Sequence, residues 1–179
     1  MSVTAVDGVV AAGHVPTWII PAASLVTEPT EATWSIPLSA LTGGTTVKAD
    51  CHMDMGDLSI TRSANTKSRQ RMCQIVAETV KVGETIDIEL SSVFDQQQAG
   101  TVAINKVYAA LPEKAVVFIA QAFGWDSATA PTASTKIDLY KATVQFRSKN
   151  QPTSLDEDLK FKATLSGSAY WQDVALTGP

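Results

Sequence analysis

Apolar and polar residues alternate with a period of two along three stretches of the chain. The alternation covers residues 47–55, 86–91 and 159–165. Because successive side chains of a strand point to opposite faces, each stretch predicts a strand with one apolar and one polar face. Antiparallel sheets that are covered on one side show this pattern. The chain is therefore predicted to be mainly β.

Further strands are predicted where apolar, β-prone residues lie between polar or glycine-containing segments. These strands cover residues 72–82, 84–94, 114–125, 135–148 and 158–171, and a tight turn at residues 82–84 joins the first two. Residues 61–71, 126–134 and 149–157 lack a hydrophobic period and are predicted to be loops.

The strand at 135–148 changes phase partway along its length. Ile137 and Leu139 share one parity, whereas the apolar residues that follow share the other, namely Tyr140, Ala142, Val144 and Phe146. A β-bulge near residues 139–140 would reconcile the two faces.

One amphipathic helix is predicted at residues 101–111. Apolar residues fall at i, i+3, i+4 and i+7, namely Ile104, Val107, Tyr108 and Leu111. This spacing places them on one helical face. Thr101 can cap the start, and Pro112 ends the helix. The helix is expected to lie on one face of the sheet.

Residues 1–44 form a proline-punctuated zone that differs from residues 45–179. We expect an extended N-terminal arm with short edge strands near residues 18–20 and 34–38, because proline is confined to the edges and turns of sheets. Trp18 and Trp34 in this arm are candidates for contacts with another subunit, and core packing is the alternative for both.

Composition limits the class of function. Formal net charge is -4, which excludes a generic nucleic-acid binder of basic character. Charged residues make up 18% of the chain, below the usual ~25%. Either copies of the protein cover much of the surface, or the surface is rich in small uncharged residues.

Two oppositely charged segments stand out. The basic segment contains Arg62, Lys67, Arg69 and Arg71, and the acidic segment contains Asp156, Glu157 and Asp158. Both are either solvated loops or complementary contacts between subunits or rings. Asp87 and Glu89 share the polar face of one predicted strand.

No arrangement typical of catalysis or cofactor binding is evident. Asp50, His52 and Asp54 share the polar face of a predicted strand and could in principle bind a metal, but no second histidine cluster completes a ligand set. Nucleophile elbows, zinc-protease motifs and phosphate loops are absent from the sequence. We therefore expect no enzyme activity, no metal and no cofactor.

The compartment is inferred from cysteines and hydropathy. Cys51 and Cys73 do not make a disulfide framework, which favours a reducing environment. No stretch reaches the ~18 apolar residues of a membrane span. No secretory signal is recognised, because no basic region precedes the apolar N-terminal stretches.

The order of these features resembles the major tail proteins, or tail tube subunits, of long-tailed bacteriophages, especially those of actinobacteria. The resemblance covers residues 45–179. It is carried by TRSANT at residues 61–66, the order strand, basic segment, hairpin and helix, and the helix end AALP at residues 109–112.

The resemblance implies an antiparallel β-sandwich or half-barrel with one short flanking helix. Six copies would form a ring with an inner β-barrel, and stacked rings would form the hollow tail tube that double-stranded DNA crosses. Tape measure, tail tip and tail terminator proteins would be the other partners, in a virion assembled in the host cytoplasm. Asp87 and Glu89 would be candidates to face the lumen.

Two other classes remain open. One is a different β-rich virion part, such as a tail terminator or a capsid decoration protein. The other is a carbohydrate-binding or adhesin sandwich, which would need exposed aromatic residues clustered on one face.

Overall fold

The computed structural model describes residues 11–25, 27–30, 33–73 and 75–178. The eight strands are β1 (Thr17–Pro21), β2 (Ser35–Pro37), β3 (Val47–Lys48), β4 (Leu58–Arg69), β5 (Glu78–Val93), β6 (Val116–Gln121), β7 (Lys136–Lys149) and β8 (Lys160–Thr177). The two short α-helices are α1 (Ser39–Thr42) and α2 (Lys106–Ala110). The first ten residues of the predicted N-terminal arm lie outside the described residues.

All eight strands belong to one sheet. Its order is β3-β1-β6-β7-β8-β5-β4, with antiparallel neighbours, and β2 pairs in parallel with the end of β8. The prediction of a mainly β, antiparallel fold with a short flanking helix is confirmed. The described strands form a single sheet and not two separately hydrogen-bonded ones.

Two hydrophobic cores cover opposite faces of this sheet. The first core contains the period-two residues of β5 and the start of β8, among them Ile88, Leu90 and Phe161, and helix α2 packs on it through Val107. The second core contains the end of β8, α1 and the alternate residues of β1 and β6. Strands β1 and β6 are therefore buried on both faces, whereas β5 is buried on one.

The two cores explain the phase change in β7. Ile137 and Leu139 belong to the second core, whereas Tyr140 and Val144 belong to the first. The parity changes because a different face of the strand is covered. The bulge predicted in β7 near residues 139–140 is wrong. The register between β7 and β8 does shift on each side of that position, but in both shifts the extra residue belongs to β8.

The basic segment is a strand, so the predicted loop at residues 61–71 is wrong. Strand β4 runs through it and pairs with β5 from Leu58 opposite Leu90 to Arg69 opposite Glu78. The predicted turn at residues 82–84 is also wrong, because these residues lie within β5. The hairpin turn instead falls between Arg69 and Glu78.

The strand predicted at residues 45–55 is present only at Val47–Lys48. A 3-10 turn follows at Asp50–His52. In the N-terminal zone, the edge strand predicted near residues 18–20 is wrong, because β1 lies inside the sheet between β3 and β6. The one predicted near residues 34–38 is present as β2, which among the described strands pairs with β8 alone. The described part of this zone thus contributes strands and α1 to the common sheet and cores.

The predicted helix is present as a 3-10 turn at Ala103–Asn105 followed by α2. Asn105 fixes its start from a buried position. The side chain accepts a hydrogen bond from the Asp95 amide at 2.9 Å and donates to the carbonyls of Asp95, Gln98 and Ala99. The helix is therefore tied to the segment that follows β5.

Candidate assembly surface

The far half of the β4–β5 hairpin projects from the sheet as a two-stranded ribbon. Strand β8 pairs with β5 only from Ile86 to Val93. Beyond that point every described residue from 63 to 82 is exposed. We call residues 63–82 the hairpin arm. The turn of this arm, at residues 70–77, is called the hairpin tip. Because isolated two-stranded ribbons are marginally stable in water, the arm is suited to packing against another surface.

An ionic and aromatic cluster anchors the base of the arm. Arg62 donates a hydrogen bond to Glu84 at 2.6 Å, and its guanidinium carbon lies 3.9 Å from the Tyr170 ring centroid. Lys81 reaches the other oxygen of Glu84 at 2.7 Å. Hydrogen bonds from Arg62 and Lys81 lower the pKa of Glu84 to about 2. Arg62 thus holds the hairpin to β8 within its own chain.

The anchor continues into the sheet through two tyrosines. The rings of Tyr140 and Tyr170 stack at 4.6 Å between centroids, and the Tyr170 hydroxyl donates to Asp138 at 3.1 Å. Burial, the largest cause, raises the pKa of both hydroxyls above the usual range. Both phenols are therefore neutral below their raised pKa values and act as hydrogen-bonding core residues.

The remaining predicted basic residues lie on the arm itself. Arg69 pairs across the hairpin with Glu78 at 3.6 Å, and both side chains are about half exposed. Lys67 and Arg71 are also exposed. An exposed pair of this kind adds little stability, since screening by water leaves ~0–1 kcal/mol. Arg69 can thus exchange Glu78 for a partner surface at small cost to the fold.

The hairpin tip exposes apolar side chains that sequence reasoning assigned to a strand. Met72 and Ile75 are fully exposed and Val76 is 76% exposed. The sequence signal that could have identified a contact surface here is the presence of these apolar residues in an otherwise polar segment. Neighbouring exposed apolar residues of this kind mark interaction sites.

The predicted acidic residues lie at the other end of the molecule. Asp156, Glu157 and Asp158 are exposed in the segment before β8, which begins opposite the end of β5 at Val93. Thr153 donates backbone and side-chain hydrogen bonds to Glu157, which lower the pKa of that carboxyl. Strand β5 has 16 residues. At ~3.3 Å per residue, it separates the acidic segment from the hairpin tip by about 50 Å.

Asp87 and Glu89 lie on the polar face of β5, opposite the first core. Both are exposed, and Glu89 pairs with Lys162 of β8 at 2.9 Å. Their neighbours across the strands are small hydroxyl residues, Thr61 and Ser166 beside Asp87. The face is polar, with two acids and one base among these residues.

The sheet ends in strands with free backbone groups. Strand β4 has a hydrogen-bonded neighbour on one side only in the described chain. Strand β7 continues along β8 to Lys149, six residues past Thr143, the last β7 residue in its register with β6. On that side Val144 still bonds to the backbone of Lys114 and Ala115, and the Arg147 amide donates to Glu113, so the β7 edge is only partly free. Long unpaired edges accept strands from other chains unless they are covered.

The two tryptophans predicted as contacts differ in their surroundings. Trp18 is buried in the second core, so it presents little surface to another subunit. Trp34 is 40% exposed, and its indole donates to the Gln172 carbonyl at 2.5 Å. Of the two, Trp34 has the exposed ring that a contact requires.

The residues considered for a metal do not converge. Asp50 accepts a hydrogen bond from Ser127, His52 contacts the Ala103 carbonyl at 2.9 Å, and Asp54 pairs with Lys160 at 2.6 Å. Among the described residues, no three histidine, cysteine or acidic side chains form a potential metal site. Within the same part of the chain, no helix is long and apolar enough to cross a membrane.

Comparisons with known proteins bear on the family and the fold of the chain. The model of the family described as phage tail tube protein matches residues 3–178. The SPP1 tail tube structure, from solid-state NMR and cryo-EM, is similar with a TM-score of 0.52 and 10% identity, over 92% of this chain and 79% of that chain. A structure of the anti-feeding prophage baseplate aligns with a TM-score of 0.46 and 8% identity, over 95% of each chain. No curated protein sequence matches the chain.

Proposed function

The chain belongs to the phage tail tube protein family, and from that premise we propose that six copies close into a ring and that rings stack into the tube. As a member of this family it is a structural tail component. The hollow centre would carry double-stranded DNA. The observation that carries the proposal is the hairpin arm, a ribbon whose described residues are exposed along its length and which the described part of the chain leaves uncovered.

Ring closure follows from the free edges of the sheet. Strand β4 of one copy would pair with the part of β7 that extends beyond β6 in the next copy, through Lys149. This head-to-tail contact would pair the free edge of β4 with those backbone groups of β7 that Lys114, Ala115 and Glu113 leave without partners. If the rotation that relates neighbouring copies closes after a few copies, the assembly is a ring. If it does not close, the assembly is an open filament.

The stacking direction follows from the separation of charge. The basic arm with Arg69 and Arg71 and the acidic segment with Asp156 and Asp158 lie at opposite ends of β5. Head-to-tail stacking would bring unlike charges together, whereas head-to-head stacking would bring like charges together. Complementary charge selects orientation more than it adds affinity.

The polar face of β5 is proposed to line the lumen. Asp87, Glu89 and Lys162 leave it without a positive excess. A wall rich in Lys and Arg would bind phosphates through counterion release and hold the DNA. A near-neutral or acidic wall lets the DNA pass.

The other partners follow from a role as a tube. The growing tube would end at tail tip and tail terminator proteins and would enclose a tape measure protein, with assembly in the host cytoplasm before incorporation into the virion. Trp34, with its exposed ring, is a proposed contact with a neighbouring subunit.

The test is a double charge reversal on the arm, Arg69→Glu with Arg71→Glu. We expect folded protein, by circular dichroism, that no longer forms long tubes in negative-stain images. A matched control reverses two exposed lysines away from the arm, Lys106→Glu with Lys136→Glu, and should still form tubes. Tubes of normal length from the arm variant would refute the proposed stacking.

A further inference from the structure

An open groove lies beside β3, at the end of the molecule opposite the hairpin tip. Its cavity measures about 900 Å³. The apolar lining includes Val15, Met53, Met55 and Leu58, and Met55 is 79% exposed. Methionine side chains adapt to irregular partners, which makes such a surface suited to binding a protein segment.

The groove is acidic. Its charged lining residues are Asp50, Asp54, Asp126 and Lys48, three acids and one base, for a net charge of -2. Lys48 lies 3.6 Å from Asp50, and Asp54 pairs with Lys160 just outside the lining. A lining that is apolar and acidic favours a partner that combines apolar and basic side chains.

The hairpin arm has that combination. Its charged residues are Lys67, Arg69, Arg71, Lys81 and Glu78, four bases and one acid, for a net charge of +3. Its tip exposes Met72, Ile75 and Val76. The arm is therefore complementary to the groove in charge and in apolar character.

The arm does not reach the groove of its own chain. The groove includes Leu58, which pairs with Leu90, whereas the tip follows Arg69, which pairs with Glu78. From residue 78 to residue 90, β5 advances by twelve residue steps, about 40 Å at ~3.3 Å per step. A hairpin arm that occupies the groove must therefore come from another molecule.

We infer that the groove beside β3 receives the hairpin tip of a second copy of this chain. The inference rests on the proposed function, which requires copies to stack head to tail, and it names the two surfaces that meet. Met72, Ile75 and Val76 would enter the groove, and the basic residues of the arm would face its aspartates.

The chain contains its own probes for this contact. Cys51 lines the groove and Cys73 lies on the hairpin tip, both are exposed, and they are the two cysteines of the sequence. Docking of a tip in a groove would bring Cys73 of one copy near Cys51 of another. A short bismaleimide, which joins two thiols, would link them.

The experiment mixes two variants, Cys51→Ser and Cys73→Ser, under assembly conditions and adds the bismaleimide. A link between Cys51 and Cys73 in this mixture must join different molecules. We expect a covalent dimer in the mixture, with the Cys51–Cys73 peptide pair found by mass spectrometry, and at least tenfold less dimer from either variant alone. Both substitutions are conservative and lie at exposed positions.

The outcomes separate the two proposals. Tubes or rings that lack the Cys51–Cys73 link would overturn the docking and leave the proposed function standing. A mixture that remains monomeric by light scattering would overturn both. As a second measurement, Met55→Glu should abolish the Cys51–Cys73 link, because it removes an apolar contact. The control Met55→Leu should preserve the link, and equal yields of the link from the two variants would also overturn the docking.

Discussion

Replacing Gly167 by alanine tests how closely β5 and β8 approach at the base of the hairpin arm. A Cβ atom on Gly167 would lie 2.5 Å from the Ile86 Cβ and 2.6 Å from its Cγ2. These two residues are the last pair between the strands before the arm diverges. Real Cβ atoms do not approach this closely, so one of the strands must shift.

The size of the effect follows from overpacking. Ile86 is buried in the first core, where an inserted methyl group costs ~1–3 kcal/mol because neighbours must leave their preferred positions. For a protein of this length each kcal/mol lowers Tm by roughly 2–4 °C, so the expected loss is about 2–12 °C. The shift should also turn the arm and reduce tube formation.

Thermal unfolding by circular dichroism measures the loss. Gly44→Ala is the matched control, since nothing lies within 4 Å of a Cβ at that position and its φ is not positive. The control should leave Tm unchanged within a degree or two. If Gly167→Ala unfolds at the temperature of Gly44→Ala, the close approach does not constrain the strands and the reasoning is wrong.

Two other predictions concern buried and charged groups. Asn105→Ala should destabilise the fold by ~1–3 kcal/mol in urea unfolding, because it removes a buried side chain that bonds to the Asp95 amide and to the carbonyls of Asp95, Gln98 and Ala99. The exposed Asn65→Ala should cost less than about 0.5 kcal/mol, and equal losses would contradict the role of Asn105. Hydrogen bonds from Arg62 and Lys81 lower the pKa of Glu84 from 4.5 to about 2, so its stabilisation is present above pH 4.5 and disappears as the pH falls toward 2. The Tm difference between the wild type and Glu84→Gln should therefore shrink over that range, and a constant difference would refute the assignment.

The mainly β character was predictable because most strands bury one face at a time. The residues that alternate in β5 and β8, such as Ile88 and Leu165, point into one core, and their polar neighbours point to solvent. Burial on one face leaves a period of two in the sequence. Helix α2 was predictable for the corresponding reason, since its apolar face packs on that core.

The strand of the basic segment was not predictable from hydropathy. From Arg62 to Arg69, β4 is exposed on both faces, so its sequence shows no alternation of apolar and polar residues. Its backbone is extended because β5 hydrogen-bonds to it along its length. The converse error occurred at residues 49–55, where Cys51, Met53 and Met55 alternate but line an open groove.

The sequence by itself determined which side chains are apolar, basic or acidic. It therefore indicated which residues could form a core, where the charged segments lie along the chain, and that recognisable catalytic motifs are missing. Only the tertiary structure decided where these groups lie relative to one another. Strand pairing over about 40 Å of β5 places the basic, apolar tip at one end and the acidic groove at the other. That separation depends on backbone hydrogen bonds between residues distant in the chain, which local residue patterns do not record.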